Sequence, residues 1–158
     1  MTSASAPSFN PGKGPGSAVG IALLGFGTVG TEVMRLMTEY GDELAHRIGG
    51  PLEVRGIAVS DISKPREGVA PELLTEDAFA LIEREDVDIV VEVIGGIEYP
   101  REVVLAALKA GKSVVTANKA LVAAHSAELA DAAEAANVDL YFEAAVAGAI
   151  PVVGPLRR

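Results

Sequence analysis

Five short apolar runs alternate along the chain with longer stretches of mixed polarity. The runs read VGIALLG, LEVRGIAVS, DIVVEVIG, SVVTA and VDLYFEA, and they occupy residues 19–25, 52–60, 88–95, 113–117 and 138–144. Short runs rich in Val and Ile are typical of parallel strands that are buried on both faces. The pattern therefore predicts an α/β fold with a doubly wound, mostly parallel sheet of at least five strands and helices on both faces.

The stretches between the runs carry apolar residues at helical spacing. In a helix predicted to begin at Thr28, they recur every three or four positions from Val29 to Leu44, so one face should pack on the sheet. After the third strand, Pro100 suits the first position of a helix and Gly111 suits its C-terminal cap. A short helix is predicted in TEDAFALIERE, and an amphipathic surface helix between the fourth and fifth strands.

Charge and composition narrow the functional classes. The formal net charge of −9 disfavours binding to nucleic acid or to an anionic membrane, because both need a positive protein surface. We expect a cytoplasmic protein, since no apolar run approaches the roughly 18 residues of a membrane span and the N-terminus lacks the pattern of a secretory signal. With no cysteine in the chain, its chemistry must use oxygen or nitrogen groups or a bound cofactor.

The composition also divides the chain. Residues 1–17 consist mainly of Ser, Ala, Pro and Gly, which cannot bury enough apolar surface to offset the entropy of ordering. We expect a flexible arm there and a folded domain over residues 18–145.

The first apolar run leads directly into GFGTVG at the start of the first predicted helix. A Gly-x-Gly-x-x-Gly segment between a strand and a helix is the context of dinucleotide binding. The first glycine permits a tight turn, the second lets a pyrophosphate approach the backbone, and the third lets the helix pack closely. A packing corner in an ordinary α/β domain is the alternative. The candidate cofactor-binding residues are Gly25, Phe26, Gly27, Thr28, Val29 and Gly30.

The second strand ends in VSDISKPR, the position at which dinucleotide-binding domains contact the adenosine ribose. Asp61 could accept a hydrogen bond from a ribose 2′-hydroxyl, whereas Ser60, Lys64 and Arg66 could surround a 2′-phosphate. The cofactor is therefore NADP or NAD. We favour NADP, or use of both, although charged residues such as Lys64 and Arg66 also occur in ordinary solvated loops.

Two further polar segments follow strands, at the edge where open parallel sheets bind ligands. Gly95 and Gly96 in EVIGGIEYP would allow close approach to the ribose and nicotinamide half of the cofactor. Thr116, Asn118 and Lys119 form a polar cluster in VVTANKALV. A lysine is costly at a sheet edge without a partner, which makes Lys119 the strongest candidate outside the glycine loop. An ordinary lysine at the start of a helix is the alternative.

The last predicted strand runs into FEAAVAGAIPVVGPLRR, in which Glu143 precedes a series of small residues. A single carboxylate cannot form a transition-metal site, but together with backbone carbonyls it could hold a hard monovalent cation. A tight active-site loop fits the composition equally well.

Taken together, GFGTVG, EVIGG, TANKAL and EAAVAGAIP resemble bacterial homoserine dehydrogenases from Val19 to the last residue. The resemblance implies a Rossmann-type fold and an oxidoreductase that interconverts L-homoserine and L-aspartate 4-semialdehyde with NAD(P), in threonine and methionine biosynthesis. It implies that the glycine loop binds the dinucleotide and that Lys119 contacts the cofactor near its reacting end. It also implies a sodium ion held largely by carbonyl oxygens, at Glu143, Val146, Gly148 and Ile150.

The same resemblance implies that catalysis needs more than this chain. Family members continue past the position of Arg158 into a substrate and dimerisation domain, which supplies the acid–base lysine and makes the complete enzyme a homo-oligomer. Residues 146–158 would then begin the linker to that domain, and this chain would bind NAD(P) with little turnover. The alternative is a non-catalytic nucleotide-binding module that acts in trans with another chain.

Overall fold

The apolar runs form strands and the stretches between them form helices in the computed structural model, which describes residues 17–142. Within that range, the strands are β1 (Val19–Leu24), β2 (Leu52–Ala58), β3 (Leu74–Thr75), β4 (Ile89–Glu92), β5 (Ser113–Thr116) and β6 (Leu140–Phe142). The helices are α1 (Thr28–Glu39), α2 (Gly41–Ile48), α3 (Ala78–Ile82), α4 (Glu98–Lys109) and α5 (Lys119–Ala136), and a 3₁₀ turn spans Pro71–Leu73.

The strands form one sheet in the order β3-β2-β1-β4-β5-β6, and every neighbouring pair is parallel. The strand order reverses between β1 and β4, which is the arrangement of a Rossmann sheet. In such sheets, ligands bind outside the carboxyl ends of the strands at the point of reversal. The predicted doubly wound parallel sheet is confirmed.

The core lies on both faces of the sheet. All six residues of β1 are buried, and their side chains alternate between two clusters. Leu24 packs in a cluster that α3, α4 and α5 complete, whereas Leu23 packs with Val33 of α1. Because helices cover both faces, an almost uninterrupted apolar strand is stable at the centre of the sheet.

The first helix is shorter than its apolar spacing predicts. α1 ends at Glu39, Tyr40 is 46% exposed, and a second helix begins at Gly41. The prediction of one continuous face through Leu44 is therefore wrong, although Leu44 is buried in α2. Glycine is a weak helix former, and here it begins a new helix instead of extending the first.

The start of α4 also differs from the prediction, whereas its end agrees. α4 begins at Glu98, which makes Pro100 the third helical residue and not the first; its missing N–H still falls in the first turn, where no intrahelical acceptor exists. Gly111, just after the end of α4, has φ +82°, as a glycine that ends a helix requires. β3 was not predicted, because it has only two residues.

Between residues 17 and 142, none of the helices combines the length and apolar character that crossing a membrane requires. The predicted arm, apart from residue 17, lies outside the described residues, as do the predicted linker and the end of the fifth predicted strand.

Candidate dinucleotide site

The glycine loop begins where β1 ends. Gly25 has φ +101°, and its N–H donates a hydrogen bond of 2.8 Å to the carbonyl of Ala58 at the end of β2. A Cβ built on Gly25 would lie 3.0 Å from the carbonyl oxygen of Val93, just after β4. Both the backbone conformation and the close approach favour glycine at this position.

The start of α1 is open toward this loop. A Cβ on Gly30 would lie 2.6 Å from the carbonyl oxygen of Gly25, so α1 can approach the end of β1 only because Gly30 has no side chain. Gly27 is the N-cap residue, and a Cβ there would meet nothing within 4 Å. No side chain caps α1 and its first turn has no acidic residue, so the amides of this turn and the positive end of the helix dipole can face an anion.

The loop after β2 holds the four predicted ribose-binding residues. Oδ1 of Asp61 accepts hydrogen bonds from the Ser63 hydroxyl at 2.5 Å and from the Ser63 N–H at 2.9 Å. These bonds, the hydroxyl first, lower the pKa of Asp61 from its usual value. Arg66 Nη1 donates to the carbonyls of Asp61 and Lys64, both at 2.9 Å, and so closes the loop; Ser60 and the Lys64 side chain are exposed.

The double glycine forms the turn between β4 and α4, beside the glycine loop. The Val93 N–H donates to the carbonyl of Leu24 at 2.9 Å, which joins the two loops. Gly95 and Gly96 have φ of +88° and +82°, and a Cβ on either would meet nothing within 4 Å. Asn118 Nδ2 donates to the carbonyl of Gly96 at 2.7 Å and thus ties this turn to the start of α5.

The TANK segment lies where β5 ends and α5 begins. Thr116 and Asn118 are buried, and Asn118 Oδ1 caps α5 by accepting a hydrogen bond of 3.0 Å from the Leu121 N–H. Lys119 is the first residue of α5 and is exposed. Because a cation at a helix N-terminus is repelled by the helix dipole, Lys119 contributes nothing favourable to α5 through that dipole.

A buried carboxylate at this edge was missed in the sequence. Glu92 is fully buried at the end of β4, where its Oε1 accepts from the Thr116 hydroxyl at 2.5 Å. Its Oε2 accepts from the Ile94 N–H at 2.8 Å and from Asn118 Nδ2 at 3.4 Å. The signal in the sequence is an acid with apolar residues on both sides of it in the run DIVVEVIG, since glutamate is almost never fully buried without a partner.

The structure thus brings the candidate dinucleotide-binding residues to one edge of the sheet, around the point between β1 and β4 where the strand order reverses. The predicted cation residues, Glu143, Val146, Gly148 and Ile150, lie outside the described residues. Among residues 17–142, no three Asp, Glu or His side chains form a group that could hold a metal ion.

Fold and edge geometry define the class of protein: an α/β domain of the dinucleotide-binding type, with a glycine-rich loop after its first strand. Comparison with known proteins identifies the family. A family model described as the NAD binding domain of homoserine dehydrogenase matches residues 25–143. The chain belongs to the homoserine dehydrogenase family and corresponds to its NAD-binding domain.

Individual relatives agree with this assignment. The homoserine dehydrogenase of Mycobacterium tuberculosis is 59% identical over 140 residues, which cover 89% of this chain and 32% of the relative. A crystal structure of Staphylococcus aureus homoserine dehydrogenase superposes with a TM-score of 0.75 at 39% identity, over 82% of this chain and 33% of that one. A hyperthermophilic archaeal homoserine dehydrogenase in complex with NADPH gives a TM-score of 0.65 at 26% identity, over 82% and 44%. The chain spans about a third of the length of the curated relatives it matches.

Proposed function

We propose that this chain binds NADP or NAD as the cofactor domain of a homoserine dehydrogenase. The observation that carries the proposal is the loop from Gly25 to Gly30, which places an uncapped helix start at the reversal of the sheet. The pyrophosphate would lie across Gly27, where the backbone has open space, and would accept hydrogen bonds from the amides of the first turn of α1. The archaeal relative solved in complex with NADPH supports this use of the fold.

The loop after β2 would bind the adenosine ribose. Both hydrogen bonds from Ser63 use Oδ1 of Asp61, so Oδ2 would be the atom that faces a ribose hydroxyl. Arg66 uses only Nη1 for the two loop carbonyls, and its other N–H groups, with Lys64 and the Ser60 hydroxyl, would contact a 2′-phosphate. We propose that NADP is preferred or that both cofactors are used.

The nicotinamide half would lie against the next two strand ends. The open sides of Gly95 and Gly96 leave room for the ribose, and Thr116 and Asn118 fix the adjacent backbone. Lys119, exposed beside this backbone, would contact the cofactor near its reacting end. In this position its charge would meet a ligand that can offset the unfavourable helix dipole.

We further propose that the whole enzyme interconverts L-homoserine and L-aspartate 4-semialdehyde, in the cytoplasm, as a homo-oligomer in threonine and methionine biosynthesis. The acid–base lysine and the groups that hold the amino acid would come from the part of the enzyme that this chain does not match. Hydride transfer needs the substrate held in near-attack geometry, so the 158-residue chain alone should bind the dinucleotide with little turnover. A sodium ion would be held at Glu143, Val146, Gly148 and Ile150.

Isothermal titration of the chain with NADPH and with NADH tests the proposal. We expect binding of at least one dinucleotide, and a larger loss of affinity for NADPH than for NADH in Lys64→Ala and Arg66→Ala. Comparing the two variants separates loss of charge from loss of the loop's hydrogen bonds, because Lys64→Ala removes a charge without removing the hydrogen bonds that Arg66 donates to the loop. If neither dinucleotide binds, the proposal is rejected. If the chain alone oxidises homoserine measurably, the proposal that substrate-binding and acid–base groups lie outside this chain is rejected.

A further inference from the structure

Glu92 joins three segments at the nicotinamide end of the proposed site. Its carboxylate receives hydrogen bonds from the turn after β4, from the last residue of β5 and from the N-cap residue of α5, through Ile94, Thr116 and Asn118 respectively. Asn118 then extends the chain of hydrogen bonds to the carbonyl of Gly96. One buried side chain therefore fixes the double-glycine turn relative to the residue before Lys119.

The directions of these hydrogen bonds suit a carboxylate. Thr116 Oγ1 accepts from the Asn118 N–H at 3.0 Å, which leaves its own hydrogen to point at Glu92 Oε1. Oε2 meets only N–H donors in the hydrogen bonds that it makes with Ile94 and Asn118. A glutamine could keep its carbonyl at the Oε2 position and turn its NH₂ toward Thr116, whereas leucine would leave these donors without their acceptor.

Stability of the fold does not by itself require a carboxylate at this position. Burying a carboxylate costs desolvation energy, and an apolar residue of similar volume often does as well or better in such a position. The other residues of β4 are Ile89, Val90 and Val91, all buried. An acid that breaks this pattern at the ligand edge, and nowhere else in the strand, indicates a role at the site.

We infer that Glu92 is a positioning residue for the nicotinamide half of the dinucleotide, acting through the Gly95–Gly96 turn and through Asn118. The inference rests on the proposed function. If the inference is right, loss of the Glu92 hydrogen bonds weakens binding of the whole dinucleotide but does not change the affinity for its adenosine half. The reason is that the partners of Glu92 in these hydrogen bonds lie neither in the glycine loop nor in the loop after β2.

The test compares Glu92→Leu and Glu92→Gln in the 158-residue chain by titration with the dinucleotide and with its adenosine half, 2′,5′-ADP for NADPH or ADP for NADH. We expect Glu92→Leu to weaken dinucleotide binding about tenfold, the effect of one misplaced hydrogen-bonding group, and to leave the adenosine half within about twofold. Glu92→Gln should restore most of the affinity. At saturation, the fluorescence spectrum of NADPH bound to Glu92→Leu should differ from that of NADPH bound to the wild type, and the spectrum with Glu92→Gln should match the wild type.

The outcomes separate this inference from the function on which it rests. Failure of the wild-type chain to bind either dinucleotide overturns both. Wild-type binding with unchanged affinity in Glu92→Leu, or with equal losses for the dinucleotide and its adenosine half, overturns the inference alone. If Glu92→Leu does not fold, Thr116→Val removes the donor to Glu92 Oε1, and with it the acceptor of the Asn118 N–H, with little change of shape. This variant must give the same difference between the two ligands for the inference to hold.

Discussion

At the scale of single residues, two glycines of the loop after β1 differ in what surrounds them. Gly30 faces the backbone of Gly25 at a distance that no Cβ tolerates, whereas Gly27 faces open space. The first is needed by the fold and the second, in our proposal, by the ligand. Substitution with alanine can therefore separate the two requirements within one turn of helix.

Gly30→Ala should lower the free energy of unfolding by about 1–3 kcal/mol, the usual cost of overpacking, because the carbonyl of Gly25 must move. Gly27→Ala should lower that free energy by less, about 0.5–1 kcal/mol, because alanine is a poorer N-cap residue than glycine. It should nevertheless weaken dinucleotide binding at least about tenfold, since a methyl group would occupy the approach of the pyrophosphate. Urea unfolding and isothermal titration measure the two effects.

Gly41→Ala is the matched control for these substitutions. Gly41 begins α2, and a Cβ there would also meet nothing within 4 Å, but it lies away from the phosphate loop. The variant should bind dinucleotide as the wild type does. If Gly27→Ala also binds normally, the pyrophosphate does not lie across Gly27.

The carboxylate of Asp61 offers a second test at this scale. The Ser63 hydroxyl and N–H stabilise its charged form, so Ser63→Ala should raise the pKa of Asp61 toward its usual value, while Ser63→Thr keeps the hydroxyl and should not. Because the folded-state pKa lies below the unfolded one, Asp61 contributes stability above the unfolded pKa and loses it as the pH falls through the folded pKa. Carbon-detected NMR titration of the side chain measures the shift; equal pKa values in the two variants would contradict this account.

At the scale of elements, the sequence predicted which segments lie at the site better than it predicted the hydrogen bonds between them. Carboxyl ends of parallel strands meet at one edge, so the motifs after β1, β2, β4 and β5 could be placed together from strand order alone. The partners of Glu92 could not be placed, because Thr116 and Asn118 follow it by 24 and 26 residues and reach it only through the pairing of β4 with β5. Periodicity also cannot show where a helix turns away, which is why the break at Tyr40 was missed.

The N-caps of two helices give a test at this scale. Asn118 caps α5 through the Leu121 N–H, and Asp77 caps α3 through the Ala80 N–H, each at 3.0 Å. Replacing either with alanine should lower the free energy of unfolding by about 0.5–2 kcal/mol. Only Asn118→Ala should also weaken dinucleotide binding, because Asn118 alone holds the carbonyl of Gly96 as well as its helix.

Asp77→Ala is thus the control for Asn118→Ala, and both need urea unfolding and titration with NADPH and NADH. Equal affinity of the two variants for dinucleotide would show that the start of α5 has only a structural role.

At the scale of the whole molecule, ligand binding and folding are linked. In our proposal only the folded chain binds the dinucleotide, because the amides that would bind the phosphates lie at the start of α1 and the groups that would contact the riboses lie at two other strand ends. The unfolded chain has no such arrangement. Ligands that bind only the folded state raise its stability in proportion to the logarithm of their concentration.

The favoured dinucleotide at about 100 times its dissociation constant should therefore stabilise the chain by about 2.7 kcal/mol. For a domain of this size, that corresponds to a rise of roughly 5–10 °C in the thermal midpoint.

L-homoserine alone should give no rise in the thermal midpoint, since we propose that the groups which hold it come from the part of the enzyme that this chain does not match. Gly27→Ala under the same conditions should show a smaller rise, about 1.4 kcal/mol of stabilisation for a tenfold loss of affinity and less for a larger loss, because the pyrophosphate site would be blocked. Differential scanning fluorimetry or calorimetry measures all three, and stabilisation by L-homoserine without dinucleotide would place substrate contacts within this chain.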